Sequence, residues 1–338
     1  MESIFSIISL LQKEGKMPQG QYEYSYDEKS ASHIFKVKIG GRVYYFKKLK
    51  PRFSSYSHDL EEQLIVEYKA LTKFNRIFSE YEHFNVPKPV FFSPEDLLLV
   101  TEEIKGTSIL DICRKFASRF KTRELRAIDV CTRVGEFFRI YHESETYPYT
   151  IEDLDESVDY VRQRLFDGIF SQEEEARISA YLERMHSEIK GEIYQYSKNP
   201  IHSDVSPCNI FFDEEDINVL DFADHRIGHH FQDLIGFKLM LERQLGTRIK
   251  YRQSAKEELL RAFSNGYGLD YDAISNDKLY KLYLLSSLAV FVKTFTYWKE
   301  AALNFKLSVD FLKDVKDKIM NYLEYYKTKK KILSIVAP

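Results

Sequence analysis

The sequence predicts a two-lobed α+β protein, with a small five-stranded lobe followed by a larger, mostly helical one. Three observations predict it. Five strand-like segments lie between Tyr22 and Ile104, apolar residues recur at three-and-four spacing over much of 108–331, and one hairpin interrupts the helices between Ile201 and Asp224. A chain of 338 residues is long enough to bury a large core and divide in two. With 44% hydrophobic and 30% charged residues it has the balance of a soluble globular protein. A formal net charge of -3 lacks the basic excess of a nucleic-acid binder.

The first segment, MESIFSIISLLQKEGK, has no basic n-region and no small-residue cleavage site. It reads as a short amphipathic helix rather than a secretory signal. YEYSY from Tyr22 is a first strand. HIFKVKI and RVYYFKKL flank Gly40-Gly41, a strong hairpin signal. Lysine inside an apolar strand is costly without a partner, and alternation lets only one of Lys47 and Lys48 turn inward. Alternation alone leaves either lysine as the inward one; the other reading is a pair of solvated edge lysines. A helix from Asp59 to Phe78 carries Leu60, Leu64, Val66, Leu71 and Phe74 as a stripe, with Glu61, Glu62 and Glu67 as acids. VFFS and LLLVTEEI complete the sheet, and Gly106 marks its exit.

Helices follow in SILDICRKF, Glu124 to His142, Leu154 to Phe166 and Gln172 to Ile189, and again from Phe231 and over Lys256 to Lys331. The most apolar run, Leu282 to Val292, is too short and interrupted for a membrane span. Cys113, Cys131 and Cys208 have no metal-like spacing and read as free thiols in a reducing compartment, so a cytoplasmic setting is expected. His225, His229 and His230 have no Cys or acidic spacing to complete a transition-metal site and are better suited to line an acceptor pocket.

Between Ile201 and Asp224, the apolar runs 209–212 and 217–220 flank the turn Asp213-Glu214-Glu215-Asp216. Asp204 precedes the first strand, Asn209 opens it and Asp221 ends the second. Two carboxylates and an amide oxygen at one end of a hairpin form a hard-oxygen site suited to Mg2+, with one carboxylate left to accept a proton.

H-x-D-x-x-x-x-N followed by a strand ending in D-F resembles the catalytic loop and D-F-G of protein kinases. It is closer to the kinase-like small-molecule phosphotransferases: aminoglycoside phosphotransferases, choline kinases, and sugar or lipopolysaccharide kinases. The resemblance implies a bilobal protein-kinase-like fold. Residues 1–104 would form the nucleotide-binding lobe with a hinge at its end, and 105–338 the helical lobe with the catalytic hairpin 201–224 and the acceptor site. Carried over residue by residue, Asp204 is the catalytic base, Asn209 and Asp221 hold Mg2+, and His202 packs beneath them. Lys47 becomes the phosphate-binding lysine and Glu67 its helix partner. The backbone of the hinge at Glu102, Glu103 and Ile104 would read an adenine edge. The turn that covers the phosphates contains Ser30, Ala31 and Ser32 but no glycine, so serine hydroxyls or backbone N–H groups would cradle them.

Three departures point away from protein kinases. Ser203 stands in place of the usual arginine, Ser206 in place of a lysine and Ala223 in place of the D-F-G glycine. No long activation segment follows Asp224; Phe231-Gln232-Asp233 begins a helix almost at once, with Asp233 resembling the family's structural aspartate. The implied reaction is transfer of the terminal phosphoryl group of ATP, with GTP an open alternative, to the hydroxyl of a small molecule, a sugar or glycan first and a choline-type alcohol next. A nucleotide-binding pseudokinase scaffold and a protein kinase are the competing readings. The basic tail Lys327 to Ile332 could touch an anionic membrane surface, though a solvated, frayed end is expected.

Overall fold

The structure, a computed structural model, describes residues 2–29, 32–50, 60–118, 126–166, 168–245, 252–303 and 324–337. The expectations for Ser30, Ala31, Asp59 and Glu124 fall outside them. In chain order the elements begin α1 (Glu2–Lys13), β1 (Tyr22–Glu28), β2 (Ser32–Ile39), β3 (Arg42–Leu49) and α2 (Leu60–Phe78). Next come β4 (Phe84–Asn85), β5 (Pro89–Ser93), β6 (Leu98–Glu102), β7 (Thr107–Ser108), α3 (Ile109–Ala117) and α4 (Arg126–Glu143). Then follow β8 (Tyr147–Pro148), α5 (Ile151–Leu165), α6 (Gln172–Gly191), β9 (Ser197–Ile201), β10 (Ile210–Asp213), β11 (Asp216–Val219) and β12 (Arg226–Gly228). The chain ends with α7 (Phe231–Leu245), α8 (Gln253–Tyr267), α9 (Tyr271–Ile274), α10 (Lys278–Leu303) and α11 (324–335).

By contact the chain groups into two compact units. The first takes Met1–Ser144, Pro200–Ile227 and Phe237–Gly268; the second takes Glu145–Asn199, Gly228–Gly236 and Leu269–Pro338. Both expected lobes, 1–104 and 105–338, contribute to the first unit.

In the first unit, a five-stranded sheet runs in the order β1-β2-β3-β6-β5. Its β2–β3 hairpin closes through Gly40 and Gly41 at φ 55° and 79°, left-handed values that suit glycine in this tight turn. Alternation divides the sheet into two faces. Phe35, Phe46 and Val100 align across β2, β3 and β6 and join Val37, Ile39 and Tyr44 against Ile4, Ile8 and Leu11 of α1. The apolar spacing of α1 therefore covers an outer sheet face. Ile34, Lys47 and Leu99 align on the opposite face, toward α2. There Tyr68 of α2 stacks on Phe92 of β5 with ring centroids 4.5 Å apart.

A second sheet, β4-β11-β10-β7, carries the predicted hairpin. Its turn is tighter than the four acids suggest: Asp213 pairs with Asp216, and Glu214 adopts φ 52°. Gly106 leads into β7 where an added Cβ would lie 2.5 Å from the Phe212 carbonyl, so only glycine admits this approach. Ser108 then caps α3, accepting the Leu110 N–H at 3.3 Å and donating to the Pro207 carbonyl at 3.2 Å. Helices α4 and α8 meet backbone to backbone. A Cβ on Gly266 would overlap the Thr132 carbonyl, and one on Gly135 the Phe263 carbonyl.

In the second unit, α5 and α6 each begin with a reciprocal capping box, Thr150 with Asp153 and Ser171 with Glu174. Leu282, Leu285, Leu288, Ala289 and Val292 of α10 are buried, so the apolar run is a core helix. Among the described residues no helix is long and apolar enough to cross a membrane.

The tail departs from the frayed end expected. Residues 324–335 are helical, and Tyr325, Thr328, Ile332 and Val336 are buried at helical spacing. Lys329 donates to the Ile169 carbonyl at 3.1 Å, pairs with Glu174 at 2.9 Å and lies over the Phe170 ring. The lysine stem packs while its ammonium finds internal partners, which overrides the local basic character.

Candidate active site

The site is built in the first unit by three elements. From β3, the parity that buries Phe46 against α1 turns Lys47 toward α2. From α2, Glu67 lies on the buried side with Leu64 and Leu71, at i−3 and i+4. The Lys47 Nζ is 3.0 Å from both Glu67 carboxylate oxygens and 2.8 Å from Asp221 Oδ1. Burial works against the Lys47 ammonium, but Glu67 and Asp221 more than offset it and hold the group above its ordinary range. Glu67 titrates above the ordinary carboxylate value because burial outweighs the stabilising ammonium. Lys48 pairs across the sheet with His33 and Leu98 and belongs to the other face.

The hairpin supplies the rest. His202 is fully buried and ties the two halves of the motif together: it donates Nε2–H to the Leu220 carbonyl at 2.9 Å and accepts the Asp204 N–H on Nδ1 at 3.3 Å. These two contacts require the neutral imidazole with its proton on Nε2. Its ring also packs against Phe222, centroids 4.6 Å apart, and Phe222 stacks on Phe74 of α2 at 6.0 Å. The loop from Asp204 to Asn209 is closed by Ser206 N–H to the Asp204 carbonyl and Asn209 N–H to the Ser206 carbonyl, both 2.8 Å.

Two non-glycine residues here sit in the left-handed region, Ser203 at φ 67° and Asp221 at φ 66°. Such backbone costs on the order of 1–3 kcal/mol and persists only where surrounding contacts fix it. The Lys47 contact fixes Asp221, and the His202 clamp lies beside both residues.

Asn209 donates its amide to Asp204 Oδ2 at 2.9 Å, and its backbone carbonyl accepts the Leu220 N–H at 2.9 Å. Burial pushes the Asp204 carboxyl up, and the Asp221 and Asp224 carboxylates add to this against the opposing hydrogen bond from Asn209. Asp221 is held low, chiefly by Lys47. Two aspartates in one loop system thus take opposite protonation tendencies, a pattern that separates a proton acceptor from a permanent anion.

The expected nucleotide contacts are less uniform. Ser30 lies outside the described residues, and Ser32 is buried, paired with Leu49. Glu102 already donates its N–H to the Lys88 carbonyl and Glu103 to the Val43 carbonyl, both at 2.9 Å. The N–H of Ile104 has no partner among the described residues.

Of the three histidines, His225 bonds the Tyr141 hydroxyl at 2.6 Å, while His229 is buried among Tyr149, Tyr196 and Tyr283 of the second unit. His142 meets the Tyr267 hydroxyl at 2.8 Å inside the core. The sequence reading missed one cluster: Lys36 Nζ lies 2.7 Å from Glu103 Oε1, with the Tyr45 hydroxyl 3.5 Å from the same oxygen. The alternation of Lys36 with Val37 was the available signal, and it reads equally as a solvated strand face.

No family model and no curated relative matches the sequence. Solved structures do match the fold over nearly the whole chain. A putative aminoglycoside phosphotransferase from Ralstonia eutropha aligns with TM-score 0.59 and 12% identity over 96% of this chain and 98% of that one. A choline kinase from Cryptosporidium parvum aligns with TM-score 0.57 and 13% identity, covering 98% and 96%. A choline/ethanolamine kinase family protein from Mesorhizobium loti gives 0.55 and 12%, covering 96% and 99%. At these identities the likeness establishes the fold: the chain has the kinase-like α+β fold that the hairpin motif implied.

Proposed function

We propose that this chain, on a fold shared with those phosphotransferases, moves the terminal phosphoryl group of a nucleoside triphosphate to a hydroxyl of a small molecule. The observation that carries the reading is the contact of Lys47 with both Glu67 and Asp221, within 3.0 Å, beside a loop that holds Asp204 and Asn209 2.9 Å apart. Lys47, oriented by Glu67, binds the phosphates that are not transferred.

The donor set fits Mg2+. It comprises the Asp221 carboxylate and the Asn209 amide oxygen, which has no partner among the described residues while the amide nitrogen serves Asp204. When bound, the ion supplies neutralisation of the phosphate charge. Asp204 orients the acceptor hydroxyl and takes its proton. Asn209 engages Oδ2 and leaves Oδ1 without a partner among the described residues, so that oxygen is the one available to an acceptor hydroxyl. Catalysis of this kind is mainly positioning and charge stabilisation. ATP is the donor the motif implies. A sugar or glycan hydroxyl is the first acceptor, and a choline-type alcohol the second, in a soluble, cytoplasmic setting.

The test is transfer of labelled terminal phosphate from ATP and from GTP, with Mg2+, into pools of sugars, glycan fragments, aminoglycosides and amino alcohols. Label in one pool, lost in a folded Asp204→Ala variant, is the expected result. Near-normal transfer by that variant would sink the assignment of the base.

A further inference from the structure

The face of the sheet that carries Lys47 continues outward in register. Ile34, Lys47 and Leu99 form one row, Lys36, Tyr45 and Thr101 the next, and beyond them Glu103 bonds through its N–H to Val43. Val43 is four residues from Lys47, about 13 Å at roughly 3.3 Å per residue. If Lys47 holds phosphates, the ribose spans this interval and the base reaches Lys36 and Glu103.

These side chains form a built cluster. The Lys36 ammonium is 2.7 Å from Glu103 Oε1 and 5.5 Å from the centre of the Tyr45 ring, and the Tyr45 hydroxyl donates to the same Oε1 at 3.5 Å. The Glu103 side chain is only 16% exposed, and its Oε2 has no partner among the described residues. Glu103 in turn holds the Lys36 ammonium charged. Of the hinge N–H groups, those of Glu102 and Glu103 are bonded within the protein, which leaves only that of Ile104 without a partner among the described residues.

We propose that Glu103 and Lys36 read the edge of a guanine base, making GTP rather than ATP the preferred donor. The inference rests on the phosphotransferase reading of the same site. An ionised carboxylate only accepts hydrogen bonds, and an ammonium only donates them. Guanine presents the oxygen O6, then N1–H, then N2–H: one acceptor followed by two donors. Lys36 beside the two Glu103 oxygens is the complementary order. Adenine presents one donor, N6–H, next to the lone pair of N1, which would face the second carboxylate oxygen. A site built to hydrogen-bond a donor rejects the analogue lacking it, because its own polar group is then left unpaired.

The experiment is calorimetric titration of the intact protein, with Mg2+, using the non-hydrolysable imido analogues of GTP, ITP and ATP. The GTP analogue is expected to bind at least tenfold more tightly than the ATP analogue, with the ITP analogue, which lacks the N2 amino group, between them. Glu103→Gln is expected to weaken the GTP analogue at least tenfold and to bind the ATP analogue as tightly as the native protein or more tightly, since the amide can donate to adenine N1; retained ATP-analogue binding also shows that the variant is folded. Equal or tighter binding of the ATP analogue by the native protein, or equal weakening of both analogues in the variant, overturns guanine recognition and leaves the phosphotransferase reading standing. Binding of none of the three overturns both.

Discussion

His202 donates its Nε2–H to the carbonyl of Leu220, the residue before Asp221, at 2.9 Å, while its Nδ1 accepts the N–H of Asp204. One buried imidazole therefore sets the spacing between the proposed base and the proposed metal ligand. His202→Ala removes two buried hydrogen bonds and leaves a cavity beneath Phe222. The expected loss is about 3 kcal/mol in denaturant unfolding, with turnover reduced more than nucleotide affinity. Full turnover in a folded variant would show that the clamp does not position the pair.

Lys47 has two anionic partners, so its removal leaves Glu67 buried without a counter-charge. Lys47→Met should lower turnover by about 100-fold or more, on the scale of losing one preorganised donor. Glu67→Gln keeps the shape and should give a smaller loss, read mainly as a raised KM for the nucleotide. Steady-state kinetics of both variants separate these outcomes.

Asp204 must be ionised to accept a proton, and burial places its pKa above the ordinary aspartate value. Turnover should therefore fall as the pH drops through that raised pKa, at higher pH than an ordinary aspartate would give. Asp224 is one of the charges that raise it. Asp224→Asn should move the acid limb to lower pH, and a pH–rate profile of the two proteins measures the shift. Asp204→Asn should lose about 100- to 10,000-fold in turnover.

The crossing of α4 and α8 depends on two missing side chains. Gly266→Ala drives a methyl into the Thr132 carbonyl, which is backbone and cannot swing aside. A loss of about 2 kcal/mol or more is expected in chemical unfolding. Gly191→Ala, where no atom lies within 4 Å, is the control and should change stability little.

Much of this was legible in the sequence because the signals were local. The parity of β3 showed that only one of Lys47 and Lys48 turns inward and the resemblance chose Lys47, the Gly40-Gly41 turn gave the hairpin, and the spacing of His202, Asp204, Asn209 and Asp221 gave the loop of the proposed site. What was missed depends on distant partners. Lys36 and Glu103 are separated by 67 positions, so neither periodicity nor a short motif links them. The tail reads as basic and solvated until Ile169, Phe170 and Glu174 are brought beside Lys329. The left-handed backbone at Ser203 and Asp221 was also hidden, because neither is the glycine that marks such a position.

The pairing of Phe46 with α1 and of Lys47 with Glu67 makes the length of the Gly40-Gly41 turn a chemical variable. Inserting one residue at the turn and slipping β3 by a single position would preserve the strand and most of its apolar content. It would also exchange the two faces, setting the Lys47 ammonium on the face covered by α1, at the place of Lys48, and a phenyl ring before Asp221. A length change at this turn would thus act on the proposed phosphate site about 20 Å away along the strand, at roughly 3.3 Å per residue, rather than on the turn itself. A library of turn insertions should keep activity only where β3 holds its register, because a slip of one brings Phe46 and a slip of two brings Tyr45 to the place of Lys47.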